Sequence, residues 1–555
     1  MSNEKKKLLS VTNLKKYFPI AKTSIFQREQ LYVKANEDIS FYIYEGETIG
    51  VVGESGCGKS TLGRVILQLY DQTAGTTMYY GKSRSEVAPR YVWHTLNNVG
   101  KYTEKYHKAL RKAEAAAAEC DAAGENATFF QHQRKNLADA AAQTALTNVA
   151  SIVGGFMGVE DNHEGIALLK KRHAVHVEIA VIKSKIADAD NKTVLLEEKL
   201  TKCEKDKQRE ALGKKLEALA QKKQKLQQEL EGKNALRAEI RESLIKEKQR
   251  FADNEEFQKY EKLLDSGIDL SRLRYNEMRH LRRDLQIIFQ DPYSSLNPRM
   301  TVGQIIEEGL VTHKMFTHGT DAMKQYILKI MDECGLQDYM LHRYPHQFSG
   351  GQRQRICIAR ALAVQPKFVV CDECVSALDV SIQSQIINLL QDLKEKEHLT
   401  YLFISHDLSV VRFISDKIIV MYLGNIVEYA SAEELFNDPR HPYTLALLSS
   451  IPTTDPNSLD KERILLEGNI PSPIRPPDGC KFNTRCYMAC EECKRVPPPL
   501  VEVKPGHFVA CHRLEKKVEN GKYLFEVTTE KRLNRVEQPE KDNSKNNSQS
   551  ASSEK

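Results

Sequence analysis

The pattern of apolar and polar positions divides the chain into five stretches. In 1–82, short apolar runs alternate with turn residues, which predicts β-strands around a glycine-rich loop. The stretch 83–266 is rich in Ala, Lys, Glu, Gln and Leu, and predicts helices. Mixed α/β patterning returns in 267–445. A segment rich in Pro and Cys fills 446–515, and the polar tail 516–555 is expected to be disordered.

The helical stretch contains a heptad seam, which predicts a coiled coil. Its apolar positions recur in steps of three and four, at Ile179, Ile182, Ile186, Ala189, Thr193, Leu196, Leu200 and Cys203. The seam resumes after a phase slip, and we place the tip of a helical hairpin at 232–234. The predicted return arm carries Leu236, Ile240, Leu244 and Phe251.

Charge and hydropathy exclude some classes of protein. A net charge of +6 over 555 residues is too dilute to indicate nucleic-acid binding. The opening "MSNEKKKLL" is followed by no apolar run, so no secretory signal is expected. The stretch "LTNVASIVGGFMGV" is too short and too broken to span a bilayer. We therefore expect a cytosolic chain, or one that is at most peripheral to a membrane.

A phosphate-binding loop follows the first strongly apolar strand. Gly53, Gly58, Lys59 and Ser60 fit the pattern G-x-x-x-x-G-K-[ST] between a predicted strand and a predicted helix. The glycines let the backbone wrap phosphates, the lysine reaches their oxygens, and the serine hydroxyl binds Mg²⁺. The candidate nucleotide-binding residues are Gly53, Glu54, Ser55, Gly56, Cys57, Gly58, Lys59, Ser60 and Thr61.

Two carboxylates end another apolar strand, "KFVVCDE". We expect Asp372 to hold Mg²⁺ and Glu373 to act as general base towards the attacking water. His406 ends a third apolar run, and Gln290 follows a fourth. Each of these two is a weak signal alone. In "FSGGQ", the Ser349 hydroxyl and the free N–H groups of a helix start predict a further anion site.

In this order the motifs resemble those of the ATP-binding cassette family. Walker A is "GESGCGKS", the Q-loop "IIFQDP", the signature "FSGGQ", Walker B "VVCDE", the D-loop "SALD" and the switch histidine His406. The resemblance implies an α/β P-loop NTPase cassette with a RecA-like core, an antiparallel β subdomain and a helical subdomain. Here an α-helical insertion at 83–266 interrupts it.

The resemblance also implies roles for particular residues. ATP and Mg²⁺ would be the ligands, with Mg²⁺ held through Ser60, Gln290 and Asp372 and hydrolysis assisted by Glu373, His406 and Gln290. The aromatic that stacks on adenine would be Phe18 or its neighbour Tyr17. The signature and D-loop would act on the ATP of a second cassette through Ser349, Gly350, Gly351, Gln352 and Asp379. One departure is Cys374, where the family usually has Pro.

Longer stretches resemble, within this family, the ATP-binding subunits of oligopeptide/dipeptide importers. The stretch "KKYFPI" is more similar to the second, F-type subunit of those systems. These stretches include "NLKKYFPI", "YPHQFSGGQRQRICIARALA" and "HPYTLALLSSIP". The expected partners are a second cassette ATPase in a heterodimer, two transmembrane permeases and an extracellular solute-binding protein. The chain would lie at the cytoplasmic face of the cell membrane, and no nucleic-acid partner is expected. Relatives also import nickel or other small solutes, so the cargo stays open.

Five of the twelve cysteines crowd into 480–511. Cys480, Cys486, Cys493 and Cys511 follow C-x5-C-x6-C-x17-C, a pattern that in several importers of this family can hold a [4Fe–4S] cluster. Four thiolates also suit tetrahedral zinc, although the spacing lacks paired C-x2-C knuckles. Iron–sulfur, zinc and no metal all remain open.

Other cassette ATPases are the competing functions. In chromosome-maintenance ATPases of the SMC type, a coiled coil replaces most of the segment between Q-loop and signature. Here the segment from Gln290 to Ser349 keeps transporter length and the insertion precedes the Q-loop. A translation-associated ATPase would have two cassettes, and this chain shows one. The insertion is either a solvated helical hairpin or a docking or regulatory module, and nothing catalytic lies in it.

Overall fold

A computed structural model describes residues 5–21, 30–124, 129–451 and 464–513. It also describes two short strands within 516–555. The rest of this tail, which is predicted to be disordered, lies outside the described residues. The strands are β1 Lys7–Pro19, β2 Tyr32–Tyr44, β3 Thr48–Val52, β4 Ala74–Tyr79, β5 Ile268–Asp269, β6 Leu285–Ile288, β7 Phe368–Asp372, β8 Thr400–Ile404, β9 Lys417–Tyr422, β10 Asn425–Ser431, β11 Val501–Lys504, β12 His507–Val509, β13 Val518–Glu519 and β14 Lys522–Tyr523.

The helices of the described residues fall into an N-terminal, an inserted and a C-terminal group. They are α1 Lys59–Ile66, α2 Arg84–Val87, α3 Arg90–Asn97, α4 Val99–Ala123, α5 Phe129–Val153, α6 His163–Thr201, α7 Asp206–Gln249, α8 Glu255–Glu261, α9 Tyr275–Leu281, α10 Pro292–Ser295, α11 Val302–Thr312, α12 Asp321–Glu333, α13 Gly350–Leu362, α14 Val380–Glu397, α15 Leu408–Ile414, α16 Ala432–Asn437, α17 Pro442–Ser449 and α18 Glu491–Arg495.

The main sheet has the strand order β11-β12-β10-β9-β3-β8-β7-β6. From β9 to β6 all neighbours are parallel, and β10, β11 and β12 extend that edge in antiparallel fashion. The parallel strands are apolar along their length because both faces of the sheet are covered. Alternate residues enter opposite cores: Val369 lies in one and Val370 in the other. The predicted α/β fold class is confirmed.

The order of the parallel strands explains where the site forms. The phosphate loop follows β3, Asp372 closes β7, and His406 comes shortly after β8. Carboxyl ends of neighbouring parallel strands meet at one edge of a sheet. Residues far apart in sequence are therefore brought to a common edge. Gln290 comes to the same edge because it follows β6, the neighbour of β7.

A second, antiparallel sheet with the order β2-β1-β4-β5 packs over the core formed by α1 and one face of the main sheet. Between β6 and β7 the chain forms α10 to α13, whose apolar faces pack against the other face. This arrangement has the antiparallel and helical subdomains that the motifs imply.

The inserted helices α2 to α8 leave the antiparallel sheet after β4 and return in β5. These two strands pair directly, with Tyr79 opposite Ile268, so the insertion is a long excursion between neighbouring strands. It has an apolar core of its own, in which the rings of Phe156, Phe251 and Phe257 lie 5.4–6.2 Å apart between centroids. The insertion therefore has a core of its own and also contacts the cassette, where Asn13 Nδ2 donates to Gln143 Oε1 at 2.8 Å.

Helices α6 and α7 form an antiparallel hairpin. Ion pairs of 2.5 Å join Glu178 to Lys233 and Asp190 to Lys223 across it. The turn is at 202–205, so the predicted tip at 232–234 is wrong: Gly232 lies inside α7. Part of the predicted seam is only half-buried, and its last member, Cys203, lies beyond the end of α6. A coiled coil in the strict sense stays a prediction.

No helix within the described residues combines the length and the apolar character needed to cross a bilayer.

Candidate nucleotide-binding site

The phosphate loop joins β3 to α1 and is held against the second sheet. Gly58 has φ +100°, and a Cβ placed on it would lie 2.1 Å from the Ala35 carbonyl oxygen. Asn36 Nδ2 donates to the Gly58 carbonyl at 3.1 Å, and Gly424 N–H donates to the Cys57 carbonyl at 3.0 Å. Glycine is therefore required at this position, and the loop presents the free N–H groups of the α1 N-terminus, which suit phosphate.

Lys59 opens α1 and its side chain is buried. Its Nζ donates to the carbonyl oxygens of Gly53 at 2.8 Å and Glu54 at 3.1 Å. The ammonium group is thus folded over the loop itself. A phosphate in the loop would offer the same group a charged acceptor, and such hydrogen bonds are stronger than those to neutral carbonyls. Ser60 and Thr61 follow in the first turn of the same helix.

Asp372, at the end of β7, has a carboxyl group suited to a hard cation. Its side chain is 2% exposed, and Arg64 Nη2 donates to Oδ2 at 3.2 Å. The other oxygen, Oδ1, is buried and has no hydrogen-bond partner among the described residues. A buried carboxylate oxygen without a partner is costly unless a ligand fills the gap. Because Mg²⁺ prefers oxygen ligands, the donor set fits Mg²⁺.

Three residues predicted as catalytic are brought together at one carboxyl group. Gln290 Nε2 donates to Glu373 Oε2 at 3.0 Å, and His406 Nδ1 lies 3.7 Å from the same oxygen. Glu373 has φ +49°, an uncommon backbone conformation for a residue with a side chain. Such local strain persists where the surroundings fix it, and here the Glu373 N–H donates to the Ile404 carbonyl at 3.0 Å. Their catalytic roles stay predictions.

The signature residues begin α13. Ser349 is its N-cap, accepting from Gln352 N–H at 3.4 Å while its own N–H donates to Gln352 Oε1 at 3.2 Å. Ser349 and Gly350 are exposed, whereas a Cβ on Gly351 would lie 2.6 Å from Ile382 Cγ2. The predicted D-loop residue Asp379 is also exposed, at the start of α14. The signature therefore packs against α14 and leaves its serine hydroxyl accessible.

The structure gives the two candidate adenine-stacking residues different surroundings. The Phe18 ring meets Tyr70 edge-on with centroids 5.5 Å apart, and Lys16 Nζ lies 4.7 Å above it. Tyr17 is buried, and its hydroxyl donates to Glu37 Oε1 at 2.7 Å. Adenine stacking by either residue stays a prediction.

Sequence reasoning missed two residues that contact the phosphate loop. Arg485, from the Cys-rich segment, donates to both carboxylate oxygens of Glu54 at 2.7 and 3.1 Å. The Tyr443 hydroxyl accepts from Glu54 N–H at 2.9 Å. The arginine stands 431 positions from its partner, and no local pattern links the two.

The cysteines predicted to hold a metal lie close together in the C-terminal segment, and Cys480, Cys486 and Cys493 all act electrostatically on the Cys511 thiol. Burial raises the pKa of Cys480 to about 11 and that of Cys511 to about 12. Cys490 Sγ lies 3.4 Å from Cys493 Sγ. Within the described ranges, no group of three or more His, Cys, Asp or Glu residues is placed to hold a metal ion. A metal on these thiols, as an iron–sulfur cluster or as zinc, stays a prediction.

Sheet order, phosphate loop and converging polar residues define a P-loop NTPase of the ATP-binding cassette type. The ABC transporter model matches residues 36–267 and 254–376, more than half of the chain. The chain belongs to this family and is an ABC ATPase, an enzyme class that uses ATP and Mg²⁺. The model for the oligopeptide/dipeptide transporter C-terminal region matches residues 427–493.

Relatives with similar sequences come from several bacteria. The oligopeptide transport ATP-binding protein AppF of Bacillus subtilis is 51% identical over 252 residues, which cover 45% of this chain and 76% of the relative. The oligopeptide transport ATP-binding protein OppF of Haemophilus influenzae is 49% identical over 246 residues, covering 44% of this chain and 74% of the relative.

Proposed function

We propose that this chain is the ATP-hydrolysing subunit that powers a membrane importer of oligopeptides or dipeptides. The observation that carries the proposal is the match of residues 427–493 to the oligopeptide/dipeptide transporter C-terminal region, because a cassette alone serves many kinds of cargo. The relatives, named as oligopeptide transport ATP-binding proteins, support the same cargo class.

The hydrolytic step follows from the residues at the sheet edge. Lys59 and the loop N–H groups hold the β- and γ-phosphates. Ser60, Gln290 and Asp372 would hold Mg²⁺, which would supply the positive charge that the phosphates need. Glu373 accepts the proton of the attacking water, while His406 donates a hydrogen bond to the γ-phosphate.

The exposed signature supports an active unit of two cassettes. Ser349, Gly350 and Asp379 lie at the surface of this chain and would close over ATP held by a second cassette. We propose a heterodimer with a related ATPase subunit, docked on two transmembrane permeases and supplied by an extracellular solute-binding protein. ATP-driven closure and hydrolytic opening would move the permeases as rigid bodies. The chain would then be peripheral to the cytoplasmic face of the membrane.

An iron–sulfur cluster on the four cysteines is no part of this mechanism and stays a prediction. Iron and acid-labile sulfide analysis of anaerobically purified protein tests it. A value near zero in protein that still hydrolyses ATP would remove the cluster from consideration.

The test of the proposal is Glu373→Gln in the assembled complex, purified in mild detergent with its copurifying chains identified. The variant should bind ATP with unchanged affinity but hydrolyse it at least about 100-fold more slowly, because the general base is lost. Glu395→Gln makes the same chemical change at an exposed position of α14 and should keep full turnover. Normal turnover of Glu373→Gln, or a complex without permeases and binding protein, would contradict the proposal.

A further inference from the structure

The Cys-rich segment places a buried arginine against the phosphate loop. The Arg485 side chain is 7% exposed and forms a two-pronged ion pair with the Glu54 carboxylate. Its Nη1 also lies 3.4 Å from the Tyr422 hydroxyl. Paired N–H···O bonds of this kind fix the geometry as well as the charge of the carboxylate. The segment is therefore in direct polar contact with the loop.

Three aromatic rings pack together beside this contact. The rings of Tyr422, Tyr443 and Phe482 pack with centroids 4.8–5.3 Å apart. Tyr443 also accepts a hydrogen bond from the Glu54 N–H at 2.9 Å. Both the backbone and the side chain of Glu54 are thus held by residues outside the ATP motifs.

The same glutamate is connected to the phosphate-binding lysine. The Glu54 carbonyl accepts from Lys59 Nζ at 3.1 Å. A chain of polar contacts therefore runs from Arg485 through Glu54 to the ammonium group.

The charges of Glu54 and Arg485 affect how the phosphate loop binds ATP. Glu54 carries a negative charge inside a loop that must receive a polyanion, and like charges at short range disfavour binding. Arg485 neutralises that charge. Without the arginine, the Glu54 carboxylate would repel the phosphates of ATP. It would also compete with them for the Lys59 ammonium group.

We propose, building on the nucleotide site proposed above, that Arg485 is a positioning residue for ATP. It neutralises Glu54 and holds the start of the phosphate loop, so that ATP affinity depends on the C-terminal segment. The arginine lies next to Cys486 in sequence. Cys480 N–H and Asn483 Nδ2 both donate to the Cys493 carbonyl, at 2.8 and 3.1 Å. The fold of the cysteine-bearing loop therefore sets where the guanidinium lies.

The experiment measures ATP binding and the KM and kcat of hydrolysis for Arg485→Gln, Glu54→Gln and the double variant in the full chain. Arg485→Gln should raise the KM and Kd for ATP about tenfold or more, with little change in kcat, because a hydrogen-bonded charge pair is lost. Removal of the carboxylate should cancel this effect, so the double variant should bind ATP almost as well as the wild type.

A matched control separates positioning from folding. Lys494 lies in the same segment, and its exposed side chain pairs with Glu491 at 2.7 Å. Lys494→Gln should leave the KM unchanged. An unchanged KM in Arg485→Gln, or a double variant as weak as Arg485→Gln alone, would overturn the proposal.

Failure of the nucleotide site itself gives a different result. Lys59→Ala should weaken ATP binding whether or not Arg485 acts as proposed. Unchanged ATP affinity in Lys59→Ala would refute the site, whereas weak binding there beside normal binding in Arg485→Gln would refute the positioning role alone.

Discussion

Two glycines of the phosphate loop offer a matched test of how tightly the loop is packed. Gly56 has φ +80° and Gly58 has φ +100°, so an alanine is strained at either position. A Cβ on Gly56 meets no atom within 4 Å, whereas one on Gly58 would lie 2.1 Å from the Ala35 carbonyl oxygen. Both variants place an alanine at a positive φ, but only Gly58→Ala also creates a steric clash.

The expected magnitudes follow from this difference. Left-handed backbone costs an alanine roughly 1–2 kcal/mol at both positions. At Gly58 the clash with the backbone of β2 adds about 1–3 kcal/mol, because neither partner is a flexible side chain. Gly58→Ala should therefore be the more destabilised by about 1–3 kcal/mol.

The assay compares thermal unfolding midpoints of wild type, Gly56→Ala and Gly58→Ala without nucleotide, followed by ATP affinity for each. Gly58→Ala should unfold at a distinctly lower temperature and should bind ATP more weakly, since the loop must shift away from β2. Equal midpoints for the two variants would refute the reasoning, because they would mean that the loop is not held against Ala35.

Two further predictions concern acid stability and the helical hairpin. His441 is buried, and burial lowers its pKa to about 4, so the unfolded chain binds the extra proton between pH 6.5 and 4. Stability should fall by up to about 3 kcal/mol as pH drops through that window. His441→Asn, which keeps an acceptor for Tyr443 N–H, should reduce the fall of the unfolding midpoint, and an unchanged pH profile would contradict this. Lys314 pairs with Asp188 of the hairpin at 2.9 Å on the surface. Asp188→Lys should therefore cost under about 1 kcal/mol yet speed amide exchange in the α11–α12 connection, and unchanged exchange would count against this docking.

The residues at the sheet edge could be predicted because each lies in a short contiguous pattern. Gln290, Glu373 and His406 each follow an apolar strand, and parallel strands place such positions together. Only local sequence and the handedness and order of the strands are needed. The meeting of all three at the Glu373 carboxyl group is the geometric result of that rule.

The predicted position of the hairpin tip was wrong for a reason that is also physical. Gly232 costs an exposed helix only about 1 kcal/mol, which the long α7 tolerates, and a Cβ there would meet no atom within 4 Å. The actual turn at 202–205 has the sequence Lys-Cys-Glu-Lys and contains no Gly or Pro. The choice between the two tips depends on how α6 and α7 pair along their length, as in the ion pair between Glu178 and Lys233. Such pairing is a tertiary property that the glycine signal cannot report.

The position of the insertion explains why so large an interruption leaves the cassette intact. Its ends are fixed by the β4–β5 ladder, where Tyr79 pairs with Ile268, so the strands close as they would around a short loop. The entropy of closing a loop grows slowly, by about 0.6 kcal/mol for each doubling of length, and an insertion with its own core loses less still. The hairpin is also held far from this base, where Lys202 pairs with Asp321 of α12 at 2.6 Å. Any rotation of α11 to α13 relative to the two sheets must therefore carry the hairpin with it or break this ion pair, which links the insertion to the helices between β6 and β7.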